Sequence, residues 1–163
     1  MILILYFGHT GTTEKAANIL KENIKDSIVM NGNKIKKIDF STFDHIIFGI
    51  NVRMGKLNKS FMKFYKRFSK KETTVPVSAY VIAADLHQAP VYMNLATTLL
   101  PEDSYVGYFG GEFNLVNAKG ITKHVLKSCI QKFKEQDLPL PELIPSAIKD
   151  FALHILDYIE VHN

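Results

Sequence analysis

The chain has no tryptophan, one cysteine in 163 residues, and no apolar run near the ~20 residues that a membrane-crossing helix needs. The single thiol, Cys129, excludes an internal disulfide and fits a reducing compartment. With Ile121, Val125 and Phe133 at helical spacing, it reads as a small core residue rather than a redox centre. The six histidines do not cluster at metal-ligand spacing, so no metal site is expected. No Ser/His/Asp or Cys/His arrangement is legible. The pattern G-x-x-x-x-G-K-[ST] is missing, which excludes a nucleoside-triphosphate loop, and the absence of G-x-G-x-x-G argues against a dinucleotide fingerprint. No nucleic-acid recognition module is present. Met1 leads straight into an apolar strand with no signal-peptide pattern, and the expectation is a cytoplasmic protein.

What is present is concentrated in the first two dozen residues. The run Ile2-Leu3-Ile4-Leu5-Tyr6-Phe7 breaks into Gly8-His9-Thr10-Gly11-Thr12-Thr13, then into Glu14 to Leu20, which reads as strand, hydroxyl-rich loop and helix. A parallel strand buried on both faces can be apolar throughout. Small residues behind it let several N–H groups converge at a helix N-terminus, a ready site for phosphate. The competing reading is that the threonines cap the helix. Position directly behind an apolar strand favours phosphate.

Strands and helices alternate along the rest of the chain, the pattern of a parallel sheet covered on both faces. Strands are expected over 27–30, 46–50, 77–84 and 105–110, and helices over 57–68, 91–100 and 121–133. A last helix carries Ile148, Phe151, Ala152, Ile155, Leu156 and Ile159 on one stripe. The stretch 34–43 has too weak a period for a full helix. With 47% hydrophobic residues, one domain spanning 1–163 can bury a single core. The expected fold is α/β, a doubly wound five-stranded parallel sheet of order 2-1-3-4-5. Ligands in such sheets bind outside the carboxyl ends of the strands where the winding reverses.

The loop Gly8 to Thr13 is similar to the flavodoxin phosphate loop, S/T-x-T-G-x-T, with Gly8 where that pattern has a hydroxyl. The segment Asp44-His45-Ile46-Ile47-Phe48-Gly49-Ile50-Asn51-Val52-Arg53-Met54-Gly55-Lys56 resembles the strand and loop of the flavodoxin-like, quinone-dependent protoporphyrinogen oxidases. Gly49, Arg53 and Gly55 match that pattern, Asn51 replaces a serine, and Met54 replaces an aromatic. The resemblance implies FMN as cofactor, its phosphate on Gly8, His9, Thr10, Gly11, Thr12 and Thr13. The ring would lie against Asn51, Val52, Arg53, Met54, Gly55, Ala84, Asp85, Leu86, Gly110 and Gly111, with Val52, Met54, Leu86 or Phe113 as a wall.

Charge separates two flavin roles. The chain carries 20 basic against 16 acidic residues, net +4, whereas ordinary flavodoxins are acidic around the ring. A cation near the ring edge stabilises the doubly reduced anion by about 1 to 4 kcal/mol. Arg53 and Lys56 fall in that loop, although a surface ion pair is the alternative for Arg53. His9, Asp85 and His87 are the candidates for acid–base work, with exposed loop positions as the alternative reading for the histidines. Lys56, Lys59, Lys63, Lys66, Arg67, Lys70 and Lys71 interleave with Leu57, Phe61, Phe64, Tyr65 and Phe68. This is either a core-facing stripe with a solvated lysine face, or a surface for peripheral contact with an anionic membrane. The expected function is an FMN-dependent oxidoreductase passing two electrons from a reduced substrate, protoporphyrinogen in the family resembled, to a quinone. The alternatives are a flavodoxin-type electron carrier and a flavin-free interaction module.

Overall fold

The structure is a computed structural model and describes residues 1–71 and 74–162. The first strand, β1 (Ile2–Phe7), is buried at every position, as its unbroken apolar run requires for a strand covered on both faces. It is followed by α1 (Thr12–Asn23) and β2 (Ser27–Asn31). Two short 3-10 turns, Gly32–Lys34 and Phe40–Thr42, replace a crossover helix before β3 (His45–Arg53). Then come β4 (Lys56–Leu57), α2 (Lys59–Phe68), β5 (Val77–Ile82), α3 (Ala89–Thr97), β6 (Val106–Tyr108), α4 (Gly120–Glu135) and α5 (Pro145–His162).

The sheet runs β2-β1-β3-β5-β6, all parallel, with β4 paired antiparallel to the end of β3. The five parallel strands therefore take the expected doubly wound order. Alternation along β1 divides the core. Leu3, Leu5 and Phe7 join Phe48, Phe61, Tyr65 and Phe68 on one face of the sheet, while Ile4 and Tyr6 join Leu20, Tyr80, Phe109, Phe151 and Ile155 on the other. The stripe expected on the last helix is real: Ile148, Phe151, Ala152 and Ile155 are buried.

Two elements depart from expectation. The helix expected over 57–68 begins at Lys59, because Met54 and Gly55, with φ of 51° and 72°, turn the chain back and pair Lys56 and Leu57 with Arg53 and Val52. Asn58 then caps α2, its Oδ1 accepting from the N–H groups of Ser60 and Phe61. The second departure is α4, which has no buried residue. Ile121 and Val125 are 81% and 54% exposed and Cys129 is half-buried, so the core stripe expected there is corrected. The sheet ends at the three-residue β6, and α5 already covers its face, which leaves α4 to lie over the carboxyl ends of the strands.

Candidate functional site at the carboxyl ends of the strands

The loop behind β1 decides between capping and ligand binding. The residue at the N-cap of α1 is Gly11, held at φ 99°, and no side chain caps the helix. Capping by the threonines is thus excluded. The first helical bond runs from Lys15 N–H to the Gly11 carbonyl, so the amides of Thr12, Thr13 and Glu14 lie outside the helical ladder. Thr12 and Thr13 are buried, and Thr12 Oγ1 has no hydrogen-bond partner. A buried hydroxyl left in this state costs free energy unless a ligand atom meets it. Gly8 is required by the packing, since a Cβ there would sit 2.5 Å from Thr13 Oγ1. Below the loop, the buried Tyr80 hydroxyl donates to the Thr13 carbonyl at 3.0 Å, and its ring stacks on Phe109 at 4.5 Å. Burial raises the Tyr80 pKa well above its usual value, which keeps the hydroxyl protonated as the donor.

Two further strand ends meet this loop. At the end of β3, Asn58 Nδ2 donates to Asn51 Oδ1 at 2.6 Å, and Arg53 Nη2 donates to Thr122 Oγ1 on the first turns of α4. Past β5, the Ala83 amide donates to the Gly110 carbonyl, and Tyr108 donates to the Ala83 carbonyl at 2.6 Å. Burial is the largest cause of a Tyr108 pKa near 12, with the charge of Asp85 adding to it. Gly111 passes so close to this segment that a Cβ would lie 2.4 to 2.6 Å from the Ala83 and Ala84 backbone. Lys15 on α1 pairs with Glu112 at 2.5 Å.

Together these segments enclose a cavity of about 370 Å³. Its lining comprises Thr10, Thr12 and Thr13, then Asn51 to Met54, then Ile82 to Ala84, Gly111 to Phe113, and Ile121, Thr122, Val125 and Leu126 of α4. Of the residues read from sequence, Thr10, Thr12, Thr13, Asn51, Val52, Arg53, Met54, Ala84 and Gly111 are thus brought together. Gly8, Gly11, Gly55 and Gly110 do not line the cavity and act instead on backbone course, the last three at positive φ. Asp85 and Leu86 stand outside it. Asp85 accepts from the His87 amide to start a short turn that carries Leu86 away from the lining, so of the four apolar candidates Val52, Met54 and Phe113 line the cavity, Met54 at its open rim with 91% exposure. His87 is exposed on the same turn, and His9 faces a neighbouring cavity.

The α4 wall was missed from sequence. Its apolar positions carry the ordinary helical period, and that period cannot distinguish packing on a sheet from packing over loops. The edge contact of Phe113 with Phe133, ring centroids 5.1 Å apart, and the Arg53–Thr122 bond tie α4 to the site.

The flavodoxin domain family profile matches residues 3–137. Over 84 residues, 49% of this chain and 46% of the relative, the sequence is 24% identical to protoporphyrinogen IX dehydrogenase [quinone] of Escherichia coli strain K12. The match spans about half the length of that curated relative. Among solved structures, the flavodoxin of Streptococcus pneumoniae TIGR4 superposes with a TM-score of 0.52 at 14% identity, covering 83% of this chain and 98% of that one. The two-electron reduced flavodoxin of Megasphaera elsdenii gives 0.54 at 17% identity, covering 66% and 85%. The Fusobacterium nucleatum flavodoxin bound to flavin mononucleotide gives 0.50 at 15% identity, covering 83% and 97%. With its doubly wound sheet, its open helix terminus behind β1 and a family match across most of its length, the chain belongs to the flavodoxin domain family.

Proposed function

We propose that the protein binds FMN in the 370 Å³ cavity and uses it as an oxidoreductase that moves two electrons from a reduced organic substrate to a quinone. The observation that carries the cofactor assignment is the unpartnered Oγ1 of buried Thr12, beside first-turn amides that no side chain caps. A dianionic phosphate placed there accepts from both kinds of donor at the positive end of α1. The donor set fits the group. Thr10, Thr12 and Thr13 hold the phosphate in this reading, and the segments Asn51 to Met54 and Ile82 to Ala84 border the ring, with Phe113 beside it and the α4 residues Ile121 and Val125 at the open rim.

Bound FMN supplies hydride and electron chemistry, and the chain supplies orientation and charge. Arg53 is the cation at the cavity wall, fixed by its bond to Thr122, and the carboxylate in the same lining, Glu112, is paired with Lys15. Positive charge at the ring favours the doubly reduced anion over a one-electron carrier cycle. The likeness to protoporphyrinogen IX dehydrogenase points to a reduced tetrapyrrole as donor and a quinone as acceptor. The test is turnover of protoporphyrinogen by the FMN-loaded protein with a soluble quinone. Quinone-linked oxidation supports the enzyme. Absence of turnover with FMN demonstrably bound replaces it with the electron-carrier reading.

A further inference from the structure

We propose that a second cavity, bordered by the β3–β4 hairpin, is the subsite that holds the anionic group of the protein's redox substrate, an apolar-bodied organic anion. The inference rests on the function proposed above and adds to it the residues that hold the substrate's anionic group. The cavity measures about 420 Å³ and is lined by His9, Asn51, Arg53, Met54, Lys56, Leu57, Asn58 and Lys59. It shares Asn51, Arg53 and Met54 with the first cavity, so a molecule anchored there adjoins the proposed ring site.

Its electrostatics are one-sided. Arg53, Lys56 and Lys59 line it with His9, and no carboxylate does. The ion pairs among the described residues join the Met1 amine to Asp26 and Asp44 and Lys15 to Glu112, so none neutralises these three cations. The hairpin also carries a repulsion. Arg53 and Lys56 are direct cross-strand partners, and like charges placed opposite one another destabilise a strand pair. Met54 at its tip holds φ 51°, an uncommon conformation for a non-glycine residue, with its side chain 91% exposed. An anion seated between the two cations relieves that repulsion, and Met54 and Leu57 give its apolar body a surface. The helix terminus nearby is not the anchor, because Asn58 Oδ1 already accepts from the Ser60 and Phe61 amides. Recognition therefore falls to the side chains of Lys56 and Lys59, with Arg53 as the shared wall.

The experiment titrates benzoate and its uncharged counterpart benzamide into the FMN-loaded protein by flavin absorption and into the FMN-free protein by calorimetry, and inorganic phosphate into the FMN-loaded protein alone, where the phosphate of FMN already fills the first turn of α1. Benzoate is expected to bind, with benzamide and inorganic phosphate each at least about tenfold weaker, since one lacks the charge and the other the apolar body. The double variant Lys56→Met, Lys59→Met should weaken benzoate about fivefold to thirtyfold and shift FMN affinity less than about twofold. Both side chains are exposed, so the fold survives their loss, and an unchanged melting temperature verifies this. Benzamide binding as well as benzoate, phosphate binding equally well, or benzoate binding unaltered in the variant would each overturn the proposal. FMN affinity falling in parallel with benzoate would overturn it too, by assigning the lysines to the cofactor. Failure of FMN itself to bind refutes the cofactor reading alone, because calorimetry on the FMN-free protein still reads the anion site.

Discussion

Replacing Thr12 by valine should move two measurements in opposite directions. Valine keeps the branched shape of threonine at the first position of α1 and removes only the hydroxyl. In the ligand-free protein that hydroxyl is buried, 3% exposed overall, and has no partner. An unsatisfied buried polar group costs about 1 to 3 kcal/mol, so the variant without FMN should be more stable by about 1 kcal/mol. For a domain of this size that is a rise of about 2 to 4 °C in Tm. With FMN present, the same change deletes a hydrogen bond to a charged phosphate. Such bonds contribute about 1.5 to 3 kcal/mol, so the FMN Kd should rise about 10- to 150-fold while riboflavin affinity stays the same. Thermal melts of the ligand-free proteins and flavin fluorescence titrations read both effects. A lower Tm together with unchanged FMN affinity would refute the reasoning, because it would show that Thr12 serves the fold and not a ligand.

Three further outcomes follow from packing, titration and charge. His45 is 2% exposed with Nε2 at 2.9 Å from Ser78 Oγ, and burial lowers its pKa from 6.5 to about 4. The unfolded chain therefore takes up a proton below pH 6.5 that the folded chain refuses. Stability should fall by about 3 kcal/mol between pH 6.5 and 4, and denaturant melts of His45→Gln should show a flatter pH profile. Gly111→Ala drives a Cβ into the Ala83–Ala84 backbone, so Tm should drop by the equivalent of about 1 to 3 kcal/mol and FMN affinity with it; a variant with native Tm and affinity would show that this segment yields. Lys63, Lys66, Arg67 and Lys70 form an exposed face on and just beyond α2 while Phe61, Tyr65 and Phe68 are buried, so anionic vesicles should recruit the protein at low salt and release it above physiological ionic strength, and salt-independent binding would contradict this.

Much of this was legible in the sequence, for reasons specific to each element. The apolar β1 and the loop behind it could be read because a strand buried on both faces leaves a six-residue signature, and because glycine at the helix entry is a backbone requirement. The weak period of 34–43 was also informative, since the chain there forms no α-helix and only the short 3-10 turn Phe40–Thr42 beyond the end of Gly32–Lys34. The β3–β4 hairpin was hidden because a two-residue strand has no period, and methionine is not a residue that announces a positive φ. The α4 wall was hidden for a different reason. Its apolar positions looked like core, and only the shortness of β6 and the prior claim of α5 on the sheet send it over the site. Leu86 illustrates the remaining gap, since adjacency to a strand end placed it near the ring while the turn begun by Asp85 carries it into solvent.

The central claim is that a phosphate anchors FMN to the first turn of α1. Its most direct test is a side-by-side titration of the purified protein with FMN and riboflavin, which share the ring and differ in the phosphate. FMN binding at least about a hundredfold tighter than riboflavin, an advantage largely lost in Thr12→Val, is the predicted result. Equal affinity for the two flavins, or no binding of either, would contradict it.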